Sequence, residues 1–102
     1  MNRQKLPDRR AHEVFNFEVS GLRYTCGFSR FADGSVGEIF LSNAKQSSQS
    51  DVNARDAGIL LSFCLQYGCP VEDIARVLSR KSDGSASGVM AAVLDLIVAE
   101  EK

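Results

Sequence analysis

The stretch "LRYTCGFSRFADGSVGEIFL", Leu22–Leu41, decides how this 102-residue chain folds. Leu22, Tyr24, Cys26 and Phe28 alternate with Arg23, Thr25 and Ser29, the period-two pattern of a half-buried strand. Asp33-Gly34 supplies a hairpin turn, because glycine accepts positive φ without steric cost. Beyond the turn, Gly37, Ile39 and Leu41 fall on one side of a strand running from Val36 to Leu41. Val36, Glu38 and Phe40 fall on the other. Upstream, "HEVFNFEV" alternates Phe15, Phe17 and Val19 with Asn16 and Glu18, and Ser20-Gly21 is a turn. The expected product is a three-stranded antiparallel meander with one apolar face, which needs a cover to be stable.

Downstream, "SNAKQSSQSDVN" (Ser42 to Asn53) is polar and reads as a long surface connection, a kind of loop that often carries function. Then the period changes. "DVNARDAGILLSFCLQYG" spaces Ile59, Leu60, Phe63, Cys64 and Tyr67 as one helical face, with Gly68 as its stop. "PVEDIARVLSR" opens on Pro70, with Glu72 and Asp73 where the helix dipole favours acids and Val71, Ile74, Ala75 and Leu78 as the apolar face. "KSDGSASG" is a flexible joint. A final helix, about Ser87 to Glu101, carries Val89, Val93, Leu96 and Ile97. The fold class is α+β: a meander packed against two or three C-terminal helices. Residues 12–102 form a single domain, residues 1–11 a basic arm with Arg3, Lys5, Arg9 and Arg10, and no internal repeat is evident.

Composition narrows the function. A net charge of −1 exerts no overall pull on nucleic acid or an anionic membrane, and no apolar run is long enough to span a bilayer. Three cysteines, Cys26, Cys64 and Cys69, make an odd set that suits a reducing, cytoplasmic setting rather than a disulfide framework. Metal is not expected, because no short-spaced ligand pair exists and His12 is the only histidine. A Ser-His or Cys-His nucleophile is not expected for the same reason, and His12 reads as a strand-edge residue. "SDGSASG" has the composition of a phosphate cradle without the order of one.

In the same order along the chain, "LPDRR", "YTCGFSRFADGSVGEIFLSNAK" and "SFCLQYGCPVEDI" resemble the segment that follows the catalytic barrel in adenosylcobalamin-dependent, class II, ribonucleotide reductases, a TSCPD-type module. The resemblance runs from Leu6 to Leu78. Its strongest pieces are Gly37-Glu38-Ile39-Phe40-Leu41, Ala44-Lys45 and Leu65-Gln66-Tyr67-Gly68. The chain departs from that family in lacking room for a barrel, the Thr-Ser-Cys-Pro-Asp motif and a CxxC tail.

The resemblance implies a stand-alone, non-catalytic accessory domain without a cofactor. Its surface would be formed by Glu38, Lys45 and the Ser42–Asn53 loop, with Gln66 and Tyr67 as further interaction candidates. Partners would be a protein, a ribonucleotide reductase among the candidates, or a second copy of the chain through a free sheet edge. The alternative is a small nucleotide- or phosphate-binding regulator using Lys45, Arg23 or Arg30. A third reading makes Glu38 an acid or base in a cleft. Between catalysis and a Glu38–Lys45 or Glu38–arginine tie shaping the loop, the tie is the expectation, contributing at most about 1 kcal/mol if exposed.

Overall fold

The computed structural model describes residues 2–8 and 12–100, so the expected arm cations Arg9 and Arg10 lie outside the described residues. Three strands, β1 (His12–Val19), β2 (Leu22–Arg30) and β3 (Val36–Asn43), form an antiparallel sheet in the order β1-β2-β3. Three helices follow: α1 (Gln49–Gln66), α2 (Val71–Val77) and α3 (Val89–Glu100). The fold is the expected α+β meander with helical cover.

The turns account for the pairing. Ser20 and Gly21 both take positive φ, 51° and 80°, the primed two-residue turn whose twist matches a right-handed hairpin. Tyr24, Cys26 and Phe28 of β2 and Ile39 and Leu41 of β3 point to one face. There they join Leu61 and Leu65 of α1 and Val93, Leu94 and Ile97 of α3 in one buried cluster. α2 adds Val71 and Ala75.

Three readings need correction. First, the connection before α1 is short. β3 continues to Asn43 and α1 starts at Gln49, leaving residues 44–48 between them. Asp51 closes this gap. Its Oδ1 accepts from the Asn43 N–H at 2.9 Å, and its Oδ2 from the Ser47 N–H at 3.1 Å and Arg55 Nε at 3.0 Å. Ser48 caps the helix through Oγ, accepting from the Asp51 N–H at 3.1 Å.

Second, α1 buries a different face. Ile59, Leu60, Phe63 and Tyr67 stay largely exposed, while Ala54, Ala57, Leu61 and Leu65 are buried with Gly58, Ser62 and Gln66. The buried side lies against the backbone of β3, and so close an approach selects small residues. Third, in α3 the buried set is Ala91, Val93, Leu94 and Ile97, with Leu96 exposed.

The Asn43 N–H, then Arg55 and the Ser47 N–H, hold the Asp51 carboxyl below the ordinary aspartate range. A folded-state pKa below the unfolded one stabilises the fold above the unfolded value, about 3.9, and that contribution disappears as pH falls through the folded value. Asp51→Asn should therefore lower the melting temperature at neutral pH and flatten its decline in acid. A wild-type and variant profile that run parallel from neutral pH to below pH ~3 would exclude this role.

Candidate functional site

One sheet face is covered by the core; the other carries cross-strand rows. Register places His12, Ser29 and Glu38 in one row, Val14, Gly27 and Phe40 in the next, and Asn16, Thr25 and Ser42 in a third. The outer rows are polar: Ser29 Oγ and His12 Nδ1 lie 3.0 Å apart, and Thr25 Oγ1 donates to Asn16 Oδ1 at 2.8 Å. The middle row is apolar and open, with Val14 69% and Phe40 49% exposed.

Along the β3 side α1 raises a wall from Arg55, Ile59 and Phe63, so sheet face and helix enclose a groove of about 630 Å³. Arg3 closes one end. Its guanidinium stands 4.6 Å from the Phe63 ring centre, and its Nε donates to Gln66 Oε1 at 2.5 Å. The Gln4 N–H donates to the Gln66 carbonyl at 2.6 Å, which ties the N-terminal segment to the end of α1.

Gly27 forms the centre of the groove floor. A Cβ there would meet Phe40 carbons at 3.6 Å and the Glu13 carbonyl oxygen at 3.7 Å, ordinary contact distances, and its φ lies outside the left-handed region. The fold does not require this glycine, although glycine weakens a strand interior by roughly 0.5–1 kcal/mol relative to alanine. What its missing side chain provides is close access to the backbone from the groove.

The sequence-derived candidates scatter. Glu38 is half-buried and shares the Arg3 end of the groove with Gln66. Gln66 is buried, its Nε2 donating to the Gly37 carbonyl at 2.9 Å. Tyr67 is the exposed C-cap of α1. Lys45 and Arg23 lie at the other end of the sheet, where the Ala44 N–H donates to the Arg23 carbonyl. Glu38 and Lys45 are therefore separated by on the order of 20 Å of strand, too far for a direct tie.

Arg30 is engaged elsewhere. It donates from Nε to Glu13 at 2.6 Å, from Nη1 to the Gly34 carbonyl at 2.8 Å, and from Nη2 to Glu100. The bond to Glu13, reinforced by Glu100, keeps its guanidinium more firmly charged than usual. This clamp has a second copy. Ser-Arg-x-x-Asp-Gly-Ser occurs at 29–35 and at 79–85, a short internal repeat that the sequence reading missed. In both copies an Asp Oδ1 accepts from the N–H and Oγ of the Ser two residues on, and glycine adopts φ near 90°. Arg80 binds one acid, Asp95, through both terminal nitrogens, at 2.5 and 2.8 Å, where Arg30 reaches two acids through Nε and Nη2; in both copies Nη1 also donates to the carbonyl of the turn glycine.

Ser29 has no exposed surface, so its contact with His12 is a strut across the sheet and not an accessible nucleophile. Burial pushes the Cys26 thiol up to about 12, which keeps it protonated at neutral pH. Cys69 is exposed at the α1–α2 junction. The groove residues Gly27, Phe40, Ile59 and Phe63 escaped sequence reading because they meet only through register and helix placement. The usable signal was a glycine inside a strand of alternating pattern.

The TSCPD domain family profile matches residues 4–99. Two similar curated proteins are the vitamin B12-dependent ribonucleotide reductases of Agrobacterium fabrum, 34% identical over 71 residues, and Rhodopirellula baltica, 35% identical over 78 residues. The matches cover 70% and 76% of this chain but only 6% and 7% of those proteins. The corresponding reductase of Bradyrhizobium diazoefficiens is 31% identical over 71 residues. No solved structure matches. No helix among the described residues is long and apolar enough to cross a membrane.

Proposed function

This chain belongs to the TSCPD domain family, and from that premise we propose that it is a non-catalytic accessory module that binds a protein partner through the groove. The floor at Gly27, itself buried with Phe40 in ordinary contact above it and flanked by the exposed apolar side chains of Val14, Phe40, Ile59 and Phe63, carries this reading. In the relatives the matching segment occupies a small part of a long reductase chain, so the proposed partner is a ribonucleotide reductase-type protein. Residues 12–102 act as one domain in the cytoplasm, with residues 1–11 as its arm. Three free cysteines support that compartment.

Gly27→Val fills the floor with a side chain that strands favour. It should leave the melting curve intact and reduce capture of the partner from extracts of the native cell by roughly tenfold or more. Equal capture by folded wild type and variant would refute the groove.

A second reading, a small nucleotide-binding regulator, draws support from Arg3 and Arg55 beside the apolar floor. It predicts that nucleoside di- or triphosphates raise the melting temperature of the wild type and not of Gly27→Val. No shift with any of them removes it.

A further inference from the structure

The sheet has two edges, and they are treated differently. Four outward backbone groups of β3 are bonded by α1 side chains: Ser62 Oγ accepts from the Ile39 N–H and donates to its carbonyl, Gln66 donates to the Gly37 carbonyl, and Asp51 accepts from the Asn43 N–H. On β1 the tight Ser20-Gly21 turn makes Val19 and Leu22 a hydrogen-bonded pair. By alternation Phe17, Phe15 and Glu13 also bond to β2. His12, Val14, Asn16 and Glu18 then direct N–H and C=O away from the sheet, and among the described residues no element pairs with that side. The eight-residue strand has no proline, lysine or bulge, the devices that blunt an edge.

We propose that a second copy of this chain pairs on this edge, β1 antiparallel to β1 about a two-fold axis, giving one continuous six-stranded sheet. This rests on reading the chain as an interaction module; it uses the outward backbone groups of β1, a strand whose His12 and Val14 side chains also border the groove. The strand is complementary to itself. In the register that sets Phe15 opposite the second copy's Phe15, every outward-facing residue finds a partner. His12 meets Glu18 and Val14 meets Asn16, with no like charges opposed. The half-buried Phe15 rings close against each other at the axis. A two-residue slip either way leaves His12 or Glu18 without a partner within the strand, and a one-residue slip reverses the faces.

Light scattering should give a mass about twice 11.1 kDa. Val14→Pro removes an N–H that the β1–β2 ladder does not use, so it should retain the circular dichroism spectrum and run as a monomer. Glu18→Lys, at an exposed position, should raise the dimer dissociation constant several-fold. In the wild type, amide exchange at Val14 and Asn16 should slow as concentration rises. A wild type that is monomeric at millimolar concentration, or a dimer that survives both substitutions, would overturn the pairing. If Val14→Pro does not fold, Glu18→Lys and the exchange data decide. Gly27→Val should still dimerise, so failure of the groove and failure of the edge are separate results.

Discussion

Replacing Gly58 with alanine is expected to destabilise this protein by about 1–3 kcal/mol. Helix propensity alone predicts the opposite, since alanine in a helix interior is favoured over glycine by roughly 1 kcal/mol. The reversal comes from the seam between α1 and β3. A Cβ on residue 58 would stand 2.9 Å from the Ile39 carbonyl oxygen and 3.2 Å from the Leu41 nitrogen. Both are backbone atoms of a strand hydrogen-bonded to β2, so neither can move aside without disturbing the sheet. The denaturation midpoint should fall with an unchanged denaturant slope. A midpoint that rises would show that α1 does not sit this close to the strand.

Ser62→Val should cost more, roughly 2–5 kcal/mol. One hydroxyl serves both sides of a buried strand residue: it accepts from the Ile39 N–H at 2.8 Å and donates to the Ile39 carbonyl at 3.1 Å. It can also donate to the Gly58 carbonyl at 2.8 Å within its own helix. Valine replaces the hydroxyl with a methyl and adds a second one, leaving a buried donor and acceptor with neither partner nor water. Ser62→Thr retains the hydroxyl but adds a methyl in a tight place and should fall between the two. The local signature is faster exchange of the Ile39 amide. Unaltered exchange there would mean that the strand finds its partners elsewhere.

These two positions also show what the sequence could disclose. The meander was legible because alternation at Tyr24-Cys26-Phe28 and the Ser20-Gly21 and Asp33-Gly34 turns are local signals. The buried face of α1 was not, because Ile59, Leu60, Phe63 and Tyr67 were read by hydrophobicity, whereas the contact with β3 is decided by size. Ala54, Ala57, Gly58 and Ser62 recur at helical spacing and mark a face that approaches a backbone closely. With large apolar residues displaced outward, the helix became one wall of the groove instead of a plain cover. The candidate charges were named from residue type. Their positions depended on register, which brings Glu38 and Gln66 to one end, leaves Lys45 and Arg23 at the other, and gives Arg30 to Glu13 and Glu100. The Arg30 and Arg80 clamps could have been anticipated by aligning Ser29–Ser35 with Ser79–Ser85.

The covering of β3 by helix side chains has a consequence for assembly at high concentration. A sheet with two open edges can add copies without limit, as filaments do. With β3 bonded by Ser62, Gln66 and Asp51, each copy would offer a single open edge among the described residues, and the proposed two-fold contact would consume it on both sides. Association by the proposed strand pairing would therefore terminate at two. Loosening the α1–β3 seam would convert a self-limiting pair into a polymerising unit, so Gly58 and Ser62 variants should become prone to fibre formation at concentrations where the wild type stays clear.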